Sequence, residues 1–190
     1  MSDYTAARFQ MRLPGERTLW KGQPGGGLLF SARDVFLIPF SFLWCGFAIF
    51  WEASVLTIGA PGFFAVWGIP FVLVGLYFVF GRFLVDIWVR RGTRYELTDQ
   101  RIIIERIGMF SKTTALMISD LPPMTLNERR SGRGTIRFGD GDWTSRGFHR
   151  GMDSWTPALS RVPQLLNIER AAEVFSKIQR QQADYWEKRQ

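Results

Sequence analysis

His149 is the single histidine of this 190-residue chain, and Asp140, Asp142 and Asp153 lie within nine positions of it. Carboxylates around an imidazole suit acid–base work or a hard cation. Their spacing matches no known ligand pattern, and no activated nucleophile stands nearby. They support only one alternative reading, a membrane enzyme with a loop-based polar site near His149. Otherwise the residues indicate no catalytic set, no metal site and no cofactor. Cys45 is the single cysteine, which excludes a disulfide within the chain and suits a small helix-packing residue. The glycines of 22–27 lack the Gly-Lys-Ser/Thr ending of a phosphate loop. A second group has more promise for binding. Glu128-Arg129-Arg130 with Arg133 forms a basic turn that could hold a lipid phosphate or an acidic peptide. Trp143 and Trp155 are candidate aromatic anchors beside it. A solvated hairpin turn is the plainer reading.

The elements around these residues place them at a bilayer. Positions 35–81 contain one charge, Glu52, and divide at Gly59-Ala60-Pro61-Gly62. Two arms, 35–56 and 63–85, each approach the ~20 residues a helix needs to cross ~30 Å of hydrocarbon. Ten Val, Leu, Ile or Phe residues between Val35 and Phe50 favour insertion by about 3–6 kcal/mol. Glu52 lies near the far end of its arm, where a charge costs less than at mid-bilayer. Membrane helices tolerate Pro39, Pro61 and Pro70, with a local break expected near Pro70. A pair of helices buried in a soluble core is the competing reading, but 190 residues supply only a modest shell.

Arg17, Lys21 and Arg33 precede the hairpin, Arg82, Arg90, Arg91 and Arg94 follow it, and 57–62 has no Lys or Arg. The positive-inside rule puts both termini of a multi-pass protein in the cytoplasm. Arg33, Trp51, Arg82, Trp88, Arg90 and Arg91 are expected at the interface, with Arg82 snorkelling. Ser31 and Asp34 suit the start of the first helix. No cleavable signal is evident. From Trp88 onward there are 18 basic and 12 acidic residues. That balance favours an anionic leaflet, and its dispersed, interleaved charges argue against nucleic acid.

The remaining residues read as α+β. Residues 1–32 form a cytoplasmic segment with a first strand at 17–22, followed by a flexible Pro24–Gly27 link into the hairpin domain, 33–90. Since a lone strand is unstable, that first strand should pair within the domain at 91–182. Strands are expected at 93–98, 101–107, 112–118, 124–128 and 134–138, turning at Asp99-Gln100 and at 129–133. Residues 140–160 read as a long loop or as two weak strands joined by loops. A helix at about 164–181 should bury Leu166, Ala171, Val174, Phe175 and Ile178, ahead of a polar tail at 183–190. Tyr185 and Trp186 could touch a membrane or the core.

Gly15-Glu16-Arg17-Thr18-Leu19-Trp20-Lys21-Gly22-Gln23-Pro24, the hairpin, and above all Thr93 to Ile104 with its Tyr-x-Leu-Thr-Asp-Gln-Arg run resemble a bacterial membrane-anchored family with pleckstrin-homology-like (PH-like) domains. Leu121-Pro122-Pro123 and Gly134 to Gly139 add to the likeness, which covers roughly 12–180. It implies a hairpin inserted after the first strand of a small antiparallel β-barrel capped by a C-terminal helix. It transfers no ligand-binding residue. The leading expectation is therefore a non-catalytic membrane-anchored module. It would bind a protein, a peptide or an anionic lipid at the cytoplasmic face. The other alternative is an assembly protein that oligomerises through its hairpin and soluble domain, with Gly46, Glu52, Gly59, Gly68 and Gly75 at helix contacts.

Overall fold

The computed structural model describes residues 13–30, 34–108, 110–139, 156–160 and 162–187. In chain order these form β1 (Thr18–Gly22), α1 (Asp34–Ile58), α2 (Gly62–Leu76), a π-helical turn (Tyr77–Gly81) and α3 (Arg82–Arg91). Then come β2 (Thr93–Thr98), β3 (Arg101–Arg106), β4 (Lys112–Met117), β5 (Met124–Glu128), β6 (Gly134–Phe138), β7 (Gln164–Ile168) and α4 (Ala171–Glu187). Single 3₁₀ turns lie at Ile118–Asp120 and Pro157–Leu159. Two units are distinguished. One holds the strands and α4; the other holds the hairpin helices and the described residues 156–160.

The strand unit contains two antiparallel sheets, β1-β2-β3-β4 and β5-β6-β7. The first strand does pair as expected, Lys21 opposite Glu96 and Gly22 opposite Tyr95, with a bulge between Thr18 and Trp20. The β5–β6 hairpin is in the expected register, Met124 opposite Phe138 and Glu128 opposite Gly134. No closed barrel forms among the described residues, so the fold is a mixed α+β arrangement of two sheets and a helix. Leu97, Ile102, Ile118, Ile136, Leu165, Ile168 and Ile178 are each at most 1% exposed. Every such side chain contributes about 1.5–3 kcal/mol. The Tyr95 hydroxyl of β2 accepts a hydrogen bond from the Leu166 N–H of β7 at 3.0 Å, tying one sheet to the other.

The expected C-terminal helix needs correction at both ends. Residues 164–168 are strand β7, paired with β6, so Leu166 is buried from a strand. Leu165 to Ile168 are all buried, a continuous run that period-based reading could equally extend into a helix. Asn167 and Arg170 adopt positive φ, 49° and 50°, and break the chain before α4 begins. Ala171, Val174 and Ile178 then form the buried stripe. The helix runs on to Glu187, past the expected end near residue 181 and into the polar tail, and Tyr185 packs on the core while Trp186 stays half exposed.

In the hairpin unit, α1 and the continuous run Gly62–Arg91 are 25 and 30 residues long, with mean hydropathy 1.7 and 2.2. Both are long and apolar enough to cross a membrane, and only 22% and 11% of their most apolar windows are buried by protein. Helices from the core of a soluble protein would be mostly covered. Pro39 and Pro70 sit inside continuous helix. The departure from α geometry falls at Tyr77–Gly81, where a Cβ on Gly81 would come 2.6 Å from the Tyr77 ring. The helices approach closely at glycines. A Cβ on Gly75 would lie 2.9 Å from Cys45 Cα, and one on Gly68 would collide with the Glu52 carboxyl. Cys45 is buried in this contact.

Candidate functional site

Among the described residues, a densely connected polar group is built from two segments 85 positions apart. Glu16 ends a turn closed by its own N–H on the Leu13 carbonyl. Its carboxylate receives Arg101 Nε at 2.9 Å and Nη2 at 3.0 Å. The Leu13 N–H and the Thr98 hydroxyl add bonds of 2.8 Å each. The Glu16 side chain is 1% exposed and that of Arg101 12%. Burial by itself would raise the Glu16 carboxyl pKa. Arg101, the Leu13 N–H and Thr98 outweigh it and hold the group below its ordinary range. The Thr98 hydroxyl also receives the Arg101 N–H. Arg17 and Asp99 exchange a second pair of bonds, Arg17 N–H to Asp99 Oδ1 and Asp99 N–H to the Arg17 carbonyl. Both carboxylate oxygens of Glu16 are used, so the arrangement is a staple for β1 and offers no reactive group.

A second set fixes the segment after β1. The Gly25 N–H donates to the Asn167 carbonyl at 2.9 Å, and Arg90 Nη1 donates to the Gly25 carbonyl at 2.5 Å. A Cβ on Gly25 would lie 2.5 Å from Asn167 Nδ2 and 2.7 Å from its carbonyl. The link expected to be flexible is therefore clamped at Gly25. Arg90 is 4% exposed, so it is an internal tie where an interface residue was expected.

Within the hairpin unit Arg82 is likewise buried. It pairs with Asp34 at 2.5 Å, the side chains 3% and 7% exposed, and its guanidinium lies 4.3 Å from the centre of the Phe83 ring. A snorkelling Arg82 is thus corrected to a buried ion pair that joins the start of α1 to α3. Asp86 Oδ1 accepts the Ala158 N–H at 2.9 Å and so holds the Pro157–Leu159 turn. Trp88 and Arg91 are exposed and Trp51 is half-buried. Arg33 lies outside the described residues.

The basic turn comes together only in part. The Arg129 N–H donates to the Arg133 carbonyl at 2.8 Å, closing the turn. Arg133 Nη2 pairs with Glu169 at 2.6 Å and is engaged within the domain. Arg129 and Arg130 are exposed. Trp143, Trp155, His149, Asp140, Asp142 and Asp153 lie outside the described residues, among which no three His, Cys, Asp or Glu side chains could together hold a metal ion. Of the glycines named for helix association, Gly68 and Gly75 are used within the hairpin, while Gly46 and Gly59 have nothing within 4 Å of a Cβ.

The Glu16–Arg101 staple, the Gly25 clamp and the Asp34–Arg82 pair were missed from the residues. A charged side chain beside a strand reads as solvated unless its distant partner is known. No family model, no curated protein and no solved structure matches the chain.

Proposed function

We propose that this protein is a non-catalytic, membrane-anchored module with a PH-like soluble domain. In this reading it works at the cytoplasmic face of a bacterial inner membrane, and binds a protein, a peptide or an anionic lipid. The observation that carries the reading is the place of the hairpin in the sheet. The chain leaves β1 at Gly22 and returns to β2, where Tyr95 pairs with Gly22. A hairpin inserted between two neighbouring antiparallel strands begins and ends on the same side of a membrane. The basic residues at both its flanks, and none in 57–62, favour the cytoplasmic side. The order of four strands, three strands and a helix agrees with the PH-like resemblance. The anchor would raise the local concentration of a membrane partner.

Arg129 and Arg130 are the recognition residues of this reading, since they project from a turn whose backbone is already closed. A photocrosslinking residue at position 131 of the full chain, in native membranes, tests it. An adduct of one anionic lipid or one acidic protein that disappears with Arg129→Gln/Arg130→Gln is expected. Identical adducts with and without the arginines would reject the assignment.

A further inference from the structure

The sheet edges of the strand unit are not alike. The outer side of β7 is occupied, its Leu166 N–H by the Tyr95 hydroxyl and its Asn167 carbonyl by the Gly25 N–H. β1 is bulged between Thr18 and Trp20 and carries Lys21. β5 runs into Glu128, Arg129 and Arg130, all exposed. Cover, bulges and charges are the means by which edge strands avoid pairing with another chain. β4 closes the other side of its sheet and pairs with no further described strand. From Thr113 to Met117 it has no charge, proline or glycine, and its register with β3 is unbroken.

The neighbouring bonds fix which groups of β4 face outward. The Ile118 N–H donates to the Gln100 carbonyl at 2.9 Å, so these two residues are a bonded pair just beyond the ladder. Bonded pairs alternate along antiparallel strands, which assigns Leu116, Thr114 and Lys112 to bonds with β3. The far side of β3 is in phase with this, since the Ile107 N–H donates to the Gly92 carbonyl. Thr113, Ala115 and Met117 therefore aim their N–H and C=O groups away from the sheet. All three are exposed, whereas Leu116 on the opposite face packs on the core.

We propose that β4 pairs with β4 of a second copy of this chain, antiparallel about a two-fold axis at Ala115, which joins their four-stranded sheets into one. A two-fold axis that pairs the same edge makes the strands antiparallel. Outward groups bond only to outward groups. Pairing at Ala115 meets that condition: Ala115 faces Ala115, and Thr113 faces Met117 of the other copy, each pair exchanging two main-chain bonds. The short Ala115 side chains leave the axis clear. Lys112 comes opposite Ile118 of the other copy, two positions from its Asp120, and both charged residues are exposed. The same attraction repeats at the other end of the pair. A foreign strand need not carry an acid at one end and a base at the other; a second copy carries both. A common bilayer confines the copies and raises their effective concentration, so a short strand pair suffices. This inference goes beyond the binding role proposed above and does not involve Arg129 or Arg130.

The test is disulfide mapping of the full chain in native membranes. Cys45 is buried between the helices, so wild type supplies the uncrosslinked control. In the proposed register the Ala115 Cα atoms lie about 5.5 Å apart, inside the range of about 4.4–6.8 Å that a disulfide spans. Ala115→Cys should therefore give a crosslinked dimer on mild oxidation. Thr113→Cys alone should not, because its counterpart lies four residues along the strand, about 13 Å away. Thr113→Cys coexpressed with Met117→Cys should crosslink as a mixed dimer. Adding Ala115→Lys to both chains sets two ammonium groups side by side and should abolish that mixed dimer, while amide exchange in β2 and β3 stays as in wild type. The proposal is overturned if Ala115→Cys stays monomeric, or if Thr113→Cys alone crosslinks as readily as the mixture. Protection of β4 amides in membranes without any crosslink between copies also overturns it, and assigns the edge to a different protein.

Discussion

Glu16→Ala should detach β1 while leaving the other strands in place. The carboxylate accepts four hydrogen bonds within 3.0 Å, two of them from Arg101, and its side chain is 1% exposed. Its loss takes two hydrogen bonds and the Glu16 charge from the Arg101 guanidinium, itself 12% exposed. Breaking a buried pair from one side costs about 3–5 kcal/mol. Local opening of β1 is governed by this staple, so amide exchange in Thr18–Gly22 should accelerate by roughly 10²–10³-fold. Exchange in the β5–β6 hairpin should stay as it was. Glu16→Gln keeps the shape and one acceptor oxygen and should fall between the two. The pH dependence has a definite sign. The folded-state pKa of Glu16 is held below its ordinary value of 4.5, so its contribution is complete above about 4.5 and fades as acid protonates the folded group. Wild type should lose β1 protection in that acid window, and Glu16→Gln should show a flatter profile there. Unchanged β1 exchange in Glu16→Ala at neutral pH would refute the reasoning.

Other substitutions probe the remaining contacts. Gly75→Ala should destabilise the hairpin by about 1–3 kcal/mol through overpacking against Cys45. Gly46→Ala, with open space around it, should leave thermal stability in detergent unchanged. Asp34→Asn should lower that stability by a few kcal/mol because Arg82 remains buried with a weakened partner, and Asp34→Leu/Arg82→Met should recover much of the loss. Gly25→Ala should free the Pro24–Gly27 segment, seen as faster limited proteolysis there, since its Cβ meets the Asn167 backbone. Arg133→Gln should cost at most about 1 kcal/mol in a melting measurement, as its Glu169 partner is largely exposed.

Composition and periodicity determined the coarse layout. An almost uncharged run of 47 positions divided at Gly59–Gly62 reads as two long apolar helices, and two helices long and apolar enough to cross a membrane are found there. Strand pattern marked 93–98 and 124–138, although only β6 alternates buried with more open positions, while β2 is buried everywhere but at Arg94. The same logic failed at 164–168, since a short run buried on all sides carries no period to distinguish strand from helix. Pairings between distant segments were beyond the sequence read alone. Glu16 with Arg101, Asp34 with Arg82 and Gly25 with Arg90 are each joined across at least 48 positions. A charge in sequence shows only its sign; whether it is solvated, paired or buried depends on what the fold brings to it. The enclosure of Glu52 Oε2 against Gly68 and of Cys45 against Gly75 arises the same way, from the distance at which these glycines let two helices meet.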